Sequence, residues 1–360
     1  MSKKIYWQVE DKKTKSKGQA LLWAKGDLSK ISFYFYDEEW KNNDFTLEPT
    51  ESFEELAKKR CNYLRSTCDW LVLWLSSGYD SNTALKYFME SGNKIDEIII
   101  YQRSPLFDNE YVFALQTAEN YKKYFNSAVK INFLPISHNH IMEIYNKLKH
   151  DYINQPGLSL RFTKTSPLWQ VTHHSTVLST LEKYSNKRID VCGFEKPKVD
   201  LYQDRWYAVV PDTSVYDTGI ADRLTGFFID VTDFQFYIKQ HFMVIKWFEH
   251  FKNLTNELVH EVQSHKKYYK EWNLACGRIP VHSDYSIGAK GKNLFMNSTE
   301  SADSKPYIIH FKENKIFDHW QQGIESIKQY YTWWSEKDDI DIKTTILSKP
   351  KFIKKYEKKI

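Results

Sequence analysis

A continuous apolar run that leads directly into a loop of small residues constrains this chain more than any other feature. Residues 70–75 read Trp-Leu-Val-Leu-Trp-Leu, a pattern typical of a strand that is buried on both faces of a sheet. Ser76, Ser77 and Gly78 follow, and a helical pattern then extends over 81–89. Small residues between a buried strand and a helix N-terminus let backbone N–H groups approach an anion closely. The segment therefore predicts an anion-binding loop at one edge of a sheet.

The alternation of apolar strands with helical patterns continues to residue 192. Further strands are predicted over 97–101, 129–134 and 188–192, and helices over 50–66, 109–125, 141–150 and 168–184. Strands that alternate with helices form parallel sheets covered on both faces. We therefore predict an α/β fold with a doubly wound, mostly parallel, Rossmann-like sheet. Its ligand site should lie at the carboxyl ends of the strands, where the strand order reverses.

Two flanking regions complete the predicted organisation. A small β-rich N-terminal segment covers 1–50, the α/β domain covers 51–212, and a mostly helical C-terminal region that covers the substrate site spans 213–360. Finer predictions are a strand over 31–36, a hairpin over 199–210 that turns at Gln203 and Asp204, an aromatic-rich helix over 234–265, loops and short elements over 266–310 and a last helix over 317–335. Residues 236–251 of the aromatic helix are interpreted as core, with a stacking platform for bases as the alternative.

The polar residues of the loop have distinct expected tasks. The hydroxyls of Ser76 and Ser81 can donate to phosphate oxygens, and the dipole of the following helix favours the same negative charge. Asp80 is unusual in an anion site, because its carboxylate would repel a phosphate. A Mg²⁺ ion that bridges this carboxylate and the phosphates would account for it.

Residues 76–81 resemble the PP-loop signature Ser-Gly-Gly-x-Asp-Ser of the ATP pyrophosphatase superfamily, with Ser77 in place of the first glycine. The resemblance is closest to the synthetase domain of the asparagine synthetase family, and it spans residues 60–200. A second family landmark, a strand followed by an acidic residue and a helix, resembles 100–114. A third, a strand that ends in a glycine and an acidic residue, resembles 191–196.

The resemblance implies a PP-loop type of α/β fold that binds ATP with Mg²⁺ and splits ATP to AMP and pyrophosphate. The implied nucleotide-binding residues are Ser76, Ser77, Gly78, Tyr79, Asp80, Ser81, Tyr101 and Gly193, and residues 100–103 are expected near the adenosine. Asp80 and Glu195 are the implied Mg²⁺ ligands. Lys196 is implied to neutralise charge at the reacting phosphate, so the catalytic set is Asp80, Glu195 and Lys196. The glutaminase domain of the family is expected to be absent, since no cysteine follows Met1.

Three classes of function remain open at this point. The favoured one is a ligase that adenylates a carboxylate or carbonyl oxygen of a small molecule for attack by a nitrogen nucleophile. The second is a PP-loop enzyme that modifies a nucleic-acid base, which the net charge of +5 permits. The third is a non-catalytic nucleotide-binding protein. A lysine run near the C-terminus, from Lys349 to Lys359, is interpreted as a solvated tail.

Other features restrict the cofactors and the compartment. The four cysteines form no C-x-x-C pair, which argues against a cysteine-bound zinc or iron–sulfur centre. The start of the chain lacks the apolar core of a signal peptide, and no stretch approaches the ~18 apolar residues that span a bilayer. We therefore expect a cytoplasmic protein with no membrane partner and reduced thiols, of undetermined oligomeric state. Gly277-Arg278 and 288–292 are interpreted as flexible basic loops, with anion binding as the alternative.

Overall fold

The computed structural model describes residues 5–14, 19–20, 23–24, 27–102, 108–125, 129–135, 188–193, 196–210, 224–230, 232–264, 266–279 and 350–356. The strands within these residues are β1 (Ile5–Val9), β2 (Lys12–Thr14), β3 (Ile31–Phe35), β4 (Trp70–Leu75), β5 (Glu97–Gln102), β6 (Lys130–Pro135), β7 (Arg188–Cys192), β8 (Lys198–Tyr202), β9 (Arg205–Val209), β10 (Leu224–Gly226) and β11 (Lys351–Lys355). The helices are α1 (Asp37–Asn42), α2 (Phe53–Ser66), α3 (Tyr79–Glu90), α4 (Asp108–Tyr124), α5 (Gln235–Phe248), α6 (Asn256–Ser264) and α7 (Tyr269–Ala275), with short 3₁₀ helices at Leu28–Lys30 and Lys266–Tyr268. Across these stretches, no helix has the length and apolar character needed to cross a membrane.

The central sheet is parallel throughout. Its strand order is β10-β7-β4-β5-β6, and every neighbouring pair runs in the same direction. The chain thus moves outwards from β4 through β5 to β6, then returns past β4 to β7 and β10. The order reverses between β4 and β7, and in such sheets ligands bind outside the carboxyl ends of the two strands at the reversal. The predicted α/β fold with a parallel sheet is confirmed, although antiparallel sheets accompany it.

The helices beside this sheet begin and end where local chemistry favours it. At the start of α2, the Ser52 hydroxyl accepts from the Glu55 N–H at 3.2 Å, and the Glu55 carboxylate accepts from the Ser52 N–H at 2.7 Å. This reciprocal capping box satisfies two backbone donors. Gly92 follows α3 with a φ of 70° and donates its N–H to the Met89 carbonyl. Glycine adopts this left-handed conformation readily. Both predicted helices are present, but α2 begins at Phe53 rather than at residue 50, and α3 begins at Tyr79 rather than at residue 81.

One face of the parallel sheet is apolar. Alternate residues of a strand point to opposite faces, and the apolar set packs with α2, α3 and α4 in one hydrophobic cluster. Its strand members are Leu71, Leu73, Leu75, Ile98, Ile100 and Val191, all essentially buried. This layer accounts for alternate residues of the apolar runs, and the residues between them, such as Val72 and Ile99, are buried on the opposite face.

The opposite face holds a buried group of charges, which we name the sheet cluster: Glu97, Arg188 and Asp190. The Arg188 guanidinium donates to Glu97 at 3.1 Å and to the two Asp190 oxygens at 2.7 and 2.8 Å. The indole N–H of Trp70 donates to Glu97 at 2.9 Å, and that of Trp74 donates to Asp190 at 2.8 Å. All three charged side chains are at most 1% exposed. Hydrogen bonding on this scale is what makes buried charge tolerable in a sheet.

A second core contains two antiparallel sheets, with strand orders β2-β1-β3 and β11-β9-β8. Strands β8 and β9 form the hairpin predicted over 199–210. Its turn residues Gln203 and Asp204 have φ values of 47° and 55°, as a type I′ turn requires. Helix α5 borders both cores, since Phe236 belongs to the sheet's hydrophobic cluster while Tyr237 and Ile238 belong to the second.

The single helix predicted over 234–265 is wrong, because the chain forms α5 and α6 with a break between them. Asn253 has a φ of 54°, a left-handed conformation that interrupts a helix. Thr255 then accepts from the Leu258 N–H at 3.2 Å through its hydroxyl, which caps the start of α6. The expectation that the aromatic residues of this region are core is confirmed for α5, where Phe236, Tyr237 and Phe248 are buried.

The interpretation of the lysine-rich C-terminus as a solvated tail is wrong for residues 351–355. These residues form β11, which pairs with β9, and Ile353 is only 1% exposed. Lys354 forms an ion pair with Glu249 at 2.7 Å. A short strand rich in lysine, with one buried apolar residue, thus fits the edge of a sheet.

Several predictions lie outside the described residues. They are the helices over 141–150, 168–184 and 317–335, the basic loop over 288–292, and the site residue Glu195. The boundaries of the three proposed regions stay predictions. Strand β10 pairs with the central sheet, whereas β8 and β9 pair with β11.

Candidate functional site

The loop between β4 and α3 is held by its own side chains. The Ser81 hydroxyl donates to the Ser76 carbonyl at 2.9 Å and accepts from the Ser76 N–H at 3.1 Å. The Ser76 hydroxyl in turn accepts from the Gly78 N–H at 3.1 Å. The Asn82 amide donates to the carbonyls of Ser76 and Gly78 at 3.0 and 2.8 Å. The hydroxyls predicted as phosphate donors therefore shape the loop in this structure.

The N-terminus of α3 has no side-chain cap. Its N-cap residue is Gly78. The first-turn N–H groups of a helix have no partner within the helix and carry its positive end. Ser77 is buried, and its φ angle is not positive. Serine thus takes the second loop position without the backbone conformation that would demand glycine.

Gly193 brings the end of β7 against this loop. A Cβ atom on Gly193 would lie 2.5 Å from both the Cα and the N of Ser81 and 2.7 Å from the carbonyl carbon of Asp80. Real Cβ atoms do not approach backbone atoms so closely, so only glycine fits here. The structure therefore brings together two segments that the sequence linked, at the reversal point of the sheet.

Three charged side chains meet beside the loop, and we name them the edge cluster: Asp80, Lys196 and Arg278. The Lys196 ammonium lies 2.6 Å from Asp80 Oδ2, and Arg278 Nε lies 2.7 Å from Asp80 Oδ1. Two cations and one anion leave this cluster with a net charge of +1. Asp80 therefore does not make the site repel anions, as its carboxylate alone would.

The pKa values of the edge cluster follow from these contacts. Burial alone would raise the pKa of the Asp80 carboxyl, but the charges of Lys196 and Arg278 outweigh burial and hold that pKa below its ordinary value. Burial would lower the pKa of Lys196, and the Asp80 carboxylate more than compensates, so the lysine pKa is raised. Asp80 and Lys196 are thus both charged at neutral pH.

The structure adds Arg278 to the site, a residue whose sequence context favours a flexible basic loop, with anion binding as the alternative. Its position in a flexible basic loop is wrong, because the side chain is fully buried. Its Nη1 atom donates to Gln240 Oε1 at 2.7 Å and to the Cys276 carbonyl at 2.5 Å. The guanidinium carbon lies 3.5 Å from the centre of the Phe228 ring, a cation–π contact. The glycine before it, at a helix end, was the one available signal.

Aromatic side chains border the cluster. The rings of Tyr79 and Tyr269 meet edge to face with centroids 5.9 Å apart, and the Lys196 ammonium lies 5.9 Å from the Tyr269 centroid. Tyr79 is 7% exposed and Tyr269 is 39% exposed. An accessible ring thus stands next to the most accessible cation of the site.

The remaining predicted site residues are placed less fully. Tyr101 lies near the carboxyl end of β5, the strand next to β4. Glu195, the second predicted Mg²⁺ ligand, lies outside the described residues. Within the part of the chain that the structure describes, no group of three or more His, Cys, Asp or Glu side chains could hold a metal by itself. A Mg²⁺ ion at Asp80 would therefore need ligands from elsewhere, such as phosphate oxygens.

Comparison of the sequence with protein-family models and with curated proteins gives no match.

Proposed function

We propose that the loop from Ser76 to Ser81 binds the phosphates of ATP and that the protein is a PP-loop type of adenylating ligase. The observation that carries this proposal is the position of the edge cluster. A helix N-terminus without a side-chain cap, at the reversal point of a parallel sheet, lies beside Lys196 and Arg278. Each of these features favours negative charge, and phosphate is the anion that such loops commonly bind.

The proposed chemistry transfers the adenylyl group. A carboxylate or carbonyl oxygen of a small molecule attacks the α-phosphorus of ATP, so a new O–P bond forms and the bond to the β-phosphate oxygen breaks. Pyrophosphate leaves with the electron pair of that bond, and a nitrogen nucleophile later displaces AMP. Lys196 and the N-terminus of α3 offset the negative charge that develops on the leaving pyrophosphate.

Mg²⁺ fits this site through one carboxylate. Mg²⁺ in nucleotide sites binds one or two carboxylates together with phosphate oxygens and water. Asp80 supplies a carboxylate, and its Oδ2 atom would have to exchange Lys196 for the metal. Glu195 remains the proposed second ligand. When bound, the ion neutralises charge on the phosphates.

Product analysis with ATP tests the proposal. The purified protein is titrated with ATP and Mg²⁺, then incubated with ammonium and a panel of small carboxylic acids, and the nucleotides are separated by chromatography. We expect AMP and pyrophosphate, with turnover absent in a Lys196→Met control. ADP and phosphate as products would show that the loop assignment is wrong. ATP binding with no cleavage under any condition would favour a non-catalytic nucleotide-binding protein instead.

A further inference from the structure

The backbone that presents Arg278 is fixed by the end of helix α7. The Gly277 N–H donates to the Leu274 carbonyl at 2.9 Å, and the Arg278 N–H donates to the Asn273 carbonyl at 3.0 Å. This pair of bonds is the Schellman motif, which requires a left-handed residue, and Gly277 has a φ of 77°. A Cβ on Gly277 would also lie 2.6 Å from the Phe53 ring. Both facts restrict this position to glycine.

The next residue ties the same turn to the loop helix. The Ile279 N–H donates to the Thr83 hydroxyl at 3.0 Å, and this hydroxyl donates to the Tyr79 carbonyl at 2.7 Å. Arg278 is therefore held between the end of α7 and the first turns of α3. Its guanidinium is held by Gln240 and the Cys276 carbonyl in addition to Asp80, and no part of the side chain is exposed.

Gln240 is itself anchored. Its amide donates to the Phe228 carbonyl at 2.8 Å and to the Phe236 carbonyl at 3.1 Å, and the side chain is fully buried. The amide orientation is therefore fixed with Oε1 towards Arg278. The planar guanidinium of an arginine loses little conformational entropy with each hydrogen bond that it forms to a fixed acceptor. Arg278 is therefore well suited to remain the counter-ion of Asp80.

Lys196 differs from Arg278 in each of these respects. Its side chain is 17% exposed, and among the described residues Asp80 is the acceptor for its ammonium group. Its one other described contact is the Tyr269 ring at 5.9 Å. A lysine ammonium on a flexible stem can exchange one anion for another without disturbing the core.

We propose that Arg278 is the positioning residue of the site, which holds Asp80 through Oδ1 while Lys196 on Oδ2 is exchanged for the phosphates of ATP. This inference rests on the proposed function. In the free protein, both oxygens of Asp80 accept from cations. When the triphosphate binds, Lys196 moves to a phosphate oxygen, and the Oδ2 atom becomes available in a fixed direction for the Mg²⁺ that accompanies ATP. Arg278 stays in place throughout.

The experiment measures ATP affinity by calorimetry twice for each protein, once with EDTA and once with Mg²⁺. The ratio of the two dissociation constants is the magnesium effect. Arg278→Lys keeps the charge but loses the fork, so it should lower the magnesium effect by about 10- to 100-fold, as loss of a group that orients a metal ligand typically does. Its metal-free affinity should stay within about threefold of the natural protein, since the net charge is unchanged. Lys196→Met should instead weaken both affinities by a similar factor, about tenfold or more.

A matched control is Arg60→Lys, because Arg60 is also a buried arginine paired with an aspartate, Asp230 at 2.8 Å, outside the edge cluster. It should leave the magnesium effect unchanged. If Arg278→Lys does not fold, Gln240→Met removes one anchor of the same guanidinium and should lower the magnesium effect in the same direction.

The two proposals fail in different ways. A magnesium effect that is unchanged in the folded Arg278→Lys protein, or in Gln240→Met, overturns the positioning role while ATP binding stands. Equal losses with and without Mg²⁺ in Arg278→Lys also overturn it, since they describe a merely structural residue. If the natural protein binds ATP in neither buffer, the proposed function itself is wrong.

Discussion

The sheet cluster and the edge cluster each join three charged side chains, yet they differ in balance and in access. In the sheet cluster, Arg188 serves two carboxylates and nothing is more than 1% exposed. In the edge cluster, one carboxylate serves two cations, and Asp80 and Lys196 are 15% and 17% exposed. The first cluster has a net charge of −1 among its members and the second +1.

The difference is the one expected between buried charge that supports the fold and the ligand-binding role that we propose for the edge cluster. The sheet cluster is built from residues at the start and middle of strands, and all of its charged side chains are buried. The edge cluster is built from a helix N-terminus and two loops at the carboxyl ends, where ligands bind in open sheets. Fully buried ion pairs hold their side chains in one conformation, whereas a side chain of a partly exposed pair can exchange its partner for a ligand.

The largest effect is expected from Arg188→Met. It leaves Glu97 and Asp190 buried without their cation, which costs about 3–5 kcal/mol in comparable pairs. Urea denaturation measures this loss. Adding Glu97→Gln and Asp190→Asn to the same protein should restore part of the stability, because the unpaired charges are then removed. A loss below about 1 kcal/mol for Arg188→Met would mean that water reaches the sheet cluster, so that the two clusters would not differ in solvent access.

A buried titratable group without a counter-charge sharpens the comparison. Burial lowers the pKa of His241 to about 4, and the Tyr237 carbonyl, 2.8 Å from Nδ1, offsets this only in part. The unfolded chain binds the proton with an ordinary pKa of about 6.5. Stability is therefore complete above pH 6.5 and falls as the pH drops towards 4, by roughly 3 kcal/mol in total.

His241→Phe should remove this pH dependence, measured as the free energy of unfolding between pH 7 and pH 4. His250 is a matched control, because its Nδ1 contacts the Lys246 carbonyl in the same way on an exposed surface. His250→Phe should keep the slope. Equal slopes in the His241 variant and the natural protein would contradict the assignment.

Gly193→Ala tests whether the edge cluster depends on close packing between β7 and α3. The added Cβ meets the backbone of Ser81 at 2.5 Å, so the strand end must move, at a cost of about 1–3 kcal/mol. ATP affinity should fall with it. Gly92→Ala is the control, since its Cβ would meet open space and only the left-handed backbone is strained. It should lower stability without changing ATP affinity. Unchanged ATP binding in Gly193→Ala would show that the contact between Gly193 and Ser81 is not needed for ATP binding.

The smallest effect on stability is expected from Lys196→Met. Asp80 keeps Arg278 as a partner, and a partly exposed pair contributes about 1 kcal/mol or less. The melting temperature should therefore change by about 2–4 °C or less. A drop as large as that of Arg188→Met would show that the two clusters are equally structural.

The sequence predicted the local elements of this fold better than their partners. The runs at 70–75 and 188–192 and the glycine at residue 92 each have a local physical signature, and the structure confirms them. The family resemblance places Asp80 and Lys196 together beside the phosphates, but no pattern links Arg278, which binds the other oxygen of Asp80, to the loop.

Long-range pairing also explains the errors. The break after α5 depends on one left-handed residue, Asn253, in an otherwise continuous helical pattern. The lysines of β11 are typical of a solvated tail in the sequence, but they pair with strand β9, which lies more than 140 residues earlier in the chain. Such pairing depends on tertiary contacts, which the hydrophobic periodicity of a single segment does not predict.

Strand β11 has a consequence for the order in which the protein can assemble during synthesis. Among the described residues, the strands of the parallel sheet all precede residue 227, whereas the sheet of β8 and β9 gains its third strand from residues 351–355. During synthesis, the β9 edge that pairs with β11 therefore has no β11 partner until residues 351–355 have been made. Open edges recruit strands from other chains. Pairing of residues 351–355 with β9 covers this edge, so β11 limits the time during which a neighbouring chain could add a strand there.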